Sequence, residues 1–203
     1  MQSWVITGGV GCGKSLAIQY LKQCVGVRCV FFSSDDEARR MLELPQTLRQ
    51  LQSVFGPDAV TGAGEESQAD RAWLRELIFR DPTARQQLES LLHPGVLAAL
   101  EEQRAAAQMS GAELFLAEVP LHYEIGITVT ADLIIVVAAS QTVQVRRLME
   151  RRGLEEPIIG QMLRSQWPIE AKVERADVVI WNDGDTAALE AQMLTLARPY
   201  WQA

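Results

Sequence analysis

The run Gly8-Gly9-Val10-Gly11-Cys12-Gly13-Lys14-Ser15 constrains this chain more than any other stretch. It fits the pattern G-x-x-x-x-G-K-[ST]. It lies between a short apolar run, Ser3 to Thr7, and a segment of helical periodicity from Lys14 to Val25, with Ala17, Ile18, Leu21 and Val25 on one face. Strand, glycine loop and helix in that order form the context in which this pattern wraps phosphate. Glycines reach backbone angles closed to other residues and let N–H groups converge on anionic oxygens, and the helix start adds positive partial charge. Gly9, Gly11, Cys12, Gly13, Lys14, Ser15 and Leu16 are the expected nucleotide contacts. Lys14 would bridge the β- and γ-phosphates, and the Ser15 hydroxyl would ligate Mg²⁺. The loop implies a bound nucleotide. It does not say what happens to the phosphate, because kinases, GTPases and motor ATPases all carry one.

The rest of the chain supplies the fold. Val27 to Phe32 reads as a second strand, ending at Ser33-Ser34-Asp35, where Ser34 or Asp35 can cap the next helix. Helices are expected over 35–43, 46–54, 70–80, 83–91 and 95–109, punctuated by Pro45, Gly56-Pro57, Pro82 and Pro94. Gly56 to Ala69 reads as a surface loop. Strands return at Glu113 to Val119, Leu133 to Ala138 and Val178 to Trp181. Helices are expected over 141–151, 155–165 and 168–175, and from Thr186 to about Tyr200. This alternation implies an α/β fold with a five-stranded parallel sheet and helices on both faces. Residues 1–203 form one domain on this reading. The helical block at 36–110 is too long for one crossover and reads as an insertion over the sheet's carboxyl edge, where ligands of such folds bind.

Charge and cysteine usage narrow the class. A net charge of −7 argues against a nucleic-acid partner, yet leaves room for a small anionic substrate held by local cations and amides. Three cysteines with no CxxC pair point to reduced thiols in a cytoplasm. The opening MQSWVITGGVG carries no basic leader, and no segment approaches the length of a membrane span. A monomer or weak homo-oligomer is expected.

Four further features narrow the family. Asp35 follows the second strand, with Arg39 one turn along the same helix face. His93-Pro94 lies in the helical insertion. Glu118-Val119-Pro120-Leu121-His122-Tyr123-Glu124 follows the third strand. The run from Gln144 to Gly184 carries Arg147 and Arg151 four apart, then Arg164, Gln166, Lys172, Ala176-Asp177-Val178-Val179-Ile180 and Asn182-Asp183-Gly184. In this order and spacing the chain resembles the bacterial dephospho-CoA kinase family from Val5 to about Tyr200.

The resemblance implies a P-loop, nucleoside-monophosphate-kinase-like three-layer fold, with 36–110 gripping the acceptor and a lid at 150–172. It implies ATP as donor, Mg²⁺ as cofactor and dephospho-CoA as small-molecule substrate. Asp35 becomes the general base on the 3′-hydroxyl, and Arg39, His93, Pro120, Leu121 and Glu124 contact the acceptor. Glu118 holds a Mg²⁺-bound water. Arg147 and Arg151 offset charge on the transferring phosphoryl, and Asn182 and Gly184 meet the adenine. The same residues admit plainer roles: Asp35 as a helix cap, His93 as a helix-start residue, and the arginines as a solvated basic face.

Three positions depart from the family pattern. Leu16 replaces a hydroxyl residue, Ser33 replaces the first acid of an Asp-x-Asp pair, and His122 replaces a leucine. Two alternatives therefore stay open at this point. One is a kinase of another small acceptor, such as a nucleoside monophosphate or hydroxy metabolite. The other is a catalytically weak nucleotide-binding relative.

Overall fold

The computed structural model describes residues 1–25, 28–124 and 129–198. The expected strand start at Val27 and helix end at Tyr200 lie outside the described residues. In chain order the elements are β1 (Gln2–Gly8), α1 (Lys14–Cys24), β2 (Cys29–Ser33), α2 (Ser34–Met41) and α3 (Pro45–Phe55). Then come β3 (Val60–Thr61), β4 (Gln68–Ala69), α4 (Arg71–Arg80), α5 (Pro82–Met109), β5 (Leu114–Glu118) and β6 (Leu133–Ala138). The last are α6 (Gln141–Arg152), α7 (Glu156–Arg164), α8 (Ile169–Val173), β7 (Val178–Trp181) and α9 (Thr186–Ala197). The chain divides into two compact units, Met1–Phe32 with Arg104–Ala203, and Ser33–Gln103.

The first unit is built on a five-stranded parallel sheet of order β2-β5-β1-β6-β7. β1 pairs in parallel with β5 and with β6, and β6 with β7. Successive strand residues face opposite sides, so a run buried at every position means that both faces are covered. Leu114 to Ala117 and Ile135 to Ala138 are such runs. The core joins Ile6, Leu116, Ile135 and Val137 to Ala17, Ile18 and Leu21 of α1 and to Leu189 and Met193 of α9. Burying each large side chain contributes about 1.5–3 kcal/mol. Two aspartates extend the ladder at strand starts. Asp132 accepts from Ser3 N–H at 2.8 Å, and Asp177 from Ile134 N–H at 2.7 Å. Asp132 ties β6 to β1, where Gly8 lies opposite Val137, and Asp177 ties β7 to β6, where Ile135 lies opposite Val178.

The second unit departs from the sequence reading in two places. The expected break at Pro94 does not occur, and α5 runs unbroken through it. Pro94 removes one backbone donor and displaces the carbonyl four residues back, a penalty of about 3 kcal/mol in a helix interior. Here Pro94 and Ser90 are both exposed, so water can reach the displaced carbonyl. The stripe Leu88, Leu92, Val96 and Leu100 is buried on both sides of the proline and outweighs it. The segment 56–69 is not a plain loop but a short antiparallel pair, with Val60 opposite Ala69 and Thr61 opposite Gln68. Its reversal needs Gly62 at φ 78, where a Cβ would stand 2.4 Å from Glu66 O.

Candidate active site

The glycine loop links the end of β1 to the start of α1. At Gly8, φ is 146, and a Cβ would stand 2.1 Å from Val137 O of the neighbouring strand. Gly13 is left-handed at φ 90 and precedes α1, and a Cβ there would meet Asn182 Nδ2 at 2.4 Å. Both positions exclude a side chain on sterics alone. Lys14 folds back over the loop, and its Nζ donates to Gly8 O and Gly9 O at 3.1 Å each. Ser15 sits in the first turn of α1. The Leu16 N–H donates to Gly13 O at 3.1 Å, while the Leu16 side chain packs on the core. Cys12 is fully buried, and burial pushes its thiol up, with Lys14 only partly offsetting it.

The turn after β7 braces this loop. Asn182, buried, donates through Nδ2 to Cys12 O at 2.8 Å. Its Oδ1 accepts from Arg147 Nη2 at 3.4 Å. Asn182, which the sequence reading gave to the adenine, therefore spends its side-chain amide on the loop and on Arg147. Gly184 follows in the same turn, where an added Cβ would stand 3.4 Å from Ala188 Cβ. Arg147 Nη1 is buried with no hydrogen-bond partner among the described residues. Burial, then Arg151 and Arg146, push the Arg147 guanidinium below its ordinary range. A guanidinium stays protonated in proteins. The site thus holds a partly desolvated cation whose nearest charged neighbours include two further cations, and an anion placed there would relieve it.

Next to the loop lies the turn after β5. Val119 N–H donates to Ile6 O at 3.0 Å, and Thr7 Oγ1 donates to Pro120 O at 3.1 Å. These bonds hold Glu118, Pro120 and Leu121 beside the strand that feeds the glycine loop. Glu124 Oε1 lies 2.6 Å from Lys172 Nζ and accepts from Trp167 N–H at 2.9 Å. Lys172 is fully buried. The sequence reading assigned Glu124 to the acceptor; in the structure its Oε1 is in this ion pair, and its Oε2 is buried with no hydrogen-bond partner among the described residues.

His122 is 7% exposed, and its Nδ1 has no partner among the described residues. Burial pushes its imidazole below the usual range, with Glu124 opposing and Lys172 reinforcing the shift. His93 moves the same way for the same first reason. A depressed histidine contributes stability above the unfolded pKa near 6.5 and loses it as pH falls through the folded value. The melting temperature is therefore expected to drop between pH 7 and pH 5. His122→Leu removes an unsatisfied buried nitrogen. It should raise the melting temperature by about 2–4 °C at pH 7 and flatten the acid drop. Calorimetry across pH checks this, and an unchanged acid slope defeats it.

In the second unit Ser33, not Ser34 or Asp35, caps α2, its Oγ accepting from Asp36 N–H at 3.3 Å. The plain capping role for Asp35 is thereby taken. Asp35 is exposed in the first turn and carries neither cap nor ion pair among the described residues. Arg39 pairs with Asp36 at 2.6 Å on the surface, an exchangeable contact worth about 0.2–1 kcal/mol. His93 stands inside α5 rather than at a helix start.

Sequence reasoning assigned no role to two residues that shape the site. Gln144, 3% exposed, donates to Ala139 O at 2.8 Å, and its backbone lies against Gly11. Lys172 belongs to the run that carries the resemblance, but a lone lysine on a short helix normally reads as solvated, so its burial and its pairing with Glu124 were not foreseen.

The sequence model of the family described as dephospho-CoA kinase matches residues 4–188. The dephospho-CoA kinase of Bordetella pertussis is 39% identical over 94% of this chain and 87% of its own length. That of Syntrophotalea carbinolica is 34% identical over 94% and 88%. Among solved structures, TT1252 from Thermus thermophilus superposes with a TM-score of 0.75 at 32% identity, covering 97% of both chains. The dephospho-CoA kinase from Campylobacter jejuni shares the fold, with a TM-score of 0.65 at 24% identity over 100% of this chain and 98% of its own.

Proposed function

The chain belongs to the dephospho-CoA kinase family, and from that premise we propose how its own residues carry the reaction. The enzyme transfers the γ-phosphoryl group of ATP to the ribose 3′-hydroxyl of dephospho-CoA, giving coenzyme A and ADP in the last step of coenzyme A biosynthesis. The observation that carries the residue assignment is the unmatched Arg147 guanidinium, with Nη1 3.9 Å from where a Cβ on Gly13 would stand. An amide cradle with a desolvated cation beside it is built for a polyphosphate.

In this reading the amides of residues 9–16 receive the phosphate tail, and Lys14 reaches the β- and γ-phosphates. Arg147 and Arg151 offset the charge that spreads over the transferring group. Asp35 accepts the proton of the 3′-hydroxyl as that oxygen bonds to the γ-phosphorus and the bridging oxygen leaves with ADP. Arg39 exchanges Asp36 for a substrate phosphate, and His93 contacts the acceptor from the segment 36–110. Within that segment a cavity of about 410 Å³ lined by Leu42, Glu43, Thr61, Gln68 and Arg71 supports an acceptor-binding role. Pro120 and Leu121 shape the acceptor side, with Glu124 holding their turn through Lys172. The backbone of 182–184 meets the adenine edge, and residues 150–172 form the lid.

The donors Ser15 and Glu118 suit Mg²⁺. Both offer hard oxygen, and this cation prefers one or two protein oxygens alongside waters and substrate phosphates. Bound there, it would neutralise the β- and γ-oxygens. Three free thiols support a reducing compartment, the cytoplasm. No helix among the described residues is long and apolar enough to cross a membrane.

A coupled ADP-release assay tests the assignment. ADP should form only with dephospho-CoA and a divalent cation together, and chelation should abolish it. Equal ADP release without dephospho-CoA, or with a nucleoside monophosphate in its place, would remove the acceptor.

A further inference from the structure

The peptide unit between Gly9 and Val10 is held at both ends. Its N–H, on Val10, donates to Gln166 Oε1 at 2.9 Å. Its carbonyl, on Gly9, accepts from Lys14 Nζ at 3.1 Å and from Cys12 N–H at 3.3 Å. A peptide is planar, so fixing the direction of the N–H fixes the direction of the carbonyl. Gly9 has no Cβ to restrain its backbone, so this plane can turn over at a lower cost than one flanked by two side chains.

Gln166 comes from a distant part of the chain, just past the end of α7. Its own position is secured by its neighbour. Trp167 N–H donates to Glu124, and the Trp167 ring stacks on Tyr123 with centroids 5.8 Å apart. Gln166 and Gly9 also face one cavity of about 400 Å³. The carboxamide thus sits at the edge of the loop rather than under it, where Asn182 already holds Cys12 O.

We propose that Gln166 is a positioning residue for Lys14: by accepting from Val10 N–H it locks the Gly9–Val10 peptide plane, whose carbonyl oxygen holds the Lys14 ammonium. The stem of the proposed lid thereby sets the direction of the cation that meets the phosphates. The inference rests on the reading that ATP occupies the cradle. It goes beyond that reading by giving a role to a residue that touches no substrate. Without Gln166 the plane turns over, Gly9 O leaves the ammonium, and Lys14 loses that anchor.

The test is a double-mutant cycle on ATP affinity, read by titration calorimetry with Gln166→Leu, Lys14→Met and the double variant. Gln166→Leu removes the acceptor at similar size. It should weaken ATP binding about five- to tenfold in the parent and less than about twofold in the Lys14→Met background, because its effect passes through Lys14. The melting temperature without nucleotide should hold within about 2 °C. If Gln166→Leu folds poorly, Gln166→Ala is read in the same cycle. Equal losses in both backgrounds, or no loss in the parent, overturn the proposal while leaving the cradle in place. A parent protein that fails to bind ATP overturns the cradle and the proposal together.

Discussion

An Asp35→Asn enzyme is expected to fold normally, to bind ATP as the parent does, and to lose roughly a hundredfold to ten-thousandfold in kcat. The range is the usual contribution of a positioned general base. Asparagine keeps the size of the side chain and one acceptor oxygen, so it removes only the capacity to take a proton. The local structure makes the substitution clean. Ser33 Oγ already caps α2, and Asp35 carries neither cap nor ion pair among the described residues. An exposed residue without such a role shifts stability by no more than about 0.5 kcal/mol. Any large fall in rate is therefore chemical rather than structural. Steady-state kinetics with saturating ATP and dephospho-CoA read the effect, and turnover within tenfold of the parent would remove Asp35 as the base. A second readout is the pH profile: the acid limb of kcat, which reports the base in the ternary complex, should disappear in the variant.

Much of this molecule could be read from spacing. The glycine loop, the five strands and the alternation that makes the sheet parallel all follow from local pattern, because each depends on residues near one another in sequence. The failures share a different cause. Pro94 forbids a helix interior by local rules, yet the buried stripe from Leu88 to Leu100 overrides it, and that stripe acts through tertiary contacts. Asp35 was one of two candidate caps until Ser33 was seen to hold the position, a matter of one hydrogen bond. Asn182 and Glu124, marked as ligand contacts from family pattern, are not failures of this kind, but pattern could not show their partners within the protein. In the structure each is bound to another part of the protein, Asn182 to Cys12 O and Glu124 to Lys172. Ser33 and Leu16, the departures that kept a weak relative in view, both have structural places, as a helix cap and as a side chain packed on the core. A residue packed against the loop from 133 positions away leaves no periodic trace, so the place of Gln144 against Gly11 had no signal to find, and Lys172, named in the family-like run, gave no sign of its buried pairing with Glu124.

Replacing Arg147 by methionine should separate stability from activity in opposite directions. In the protein without nucleotide, Arg147 Nη1 is buried with no partner among the described residues, and Arg151 and Arg146 add like charge. Methionine fills similar space and carries no charge, and it gives up only the long 3.4 Å bond from Nη2 to Asn182 Oδ1. It should raise the melting temperature by about 2–4 °C, corresponding to about 1 kcal/mol of relieved desolvation and repulsion. With ATP present the order reverses. The parent gains charge-assisted hydrogen bonds worth about 1.5–3 kcal/mol each to the phosphates, and the variant gains none of them. The loss should be larger in the transition state, where charge spreads over the transferring oxygens, so kcat/KM should fall about a thousandfold or more. Calorimetric melts with and without ATP, beside steady-state kinetics, give both signs in one preparation. A variant that is less stable without nucleotide would show that the guanidinium serves the fold. One that keeps the parent's ATP-induced stabilisation and turnover would show that no phosphate ever reaches it.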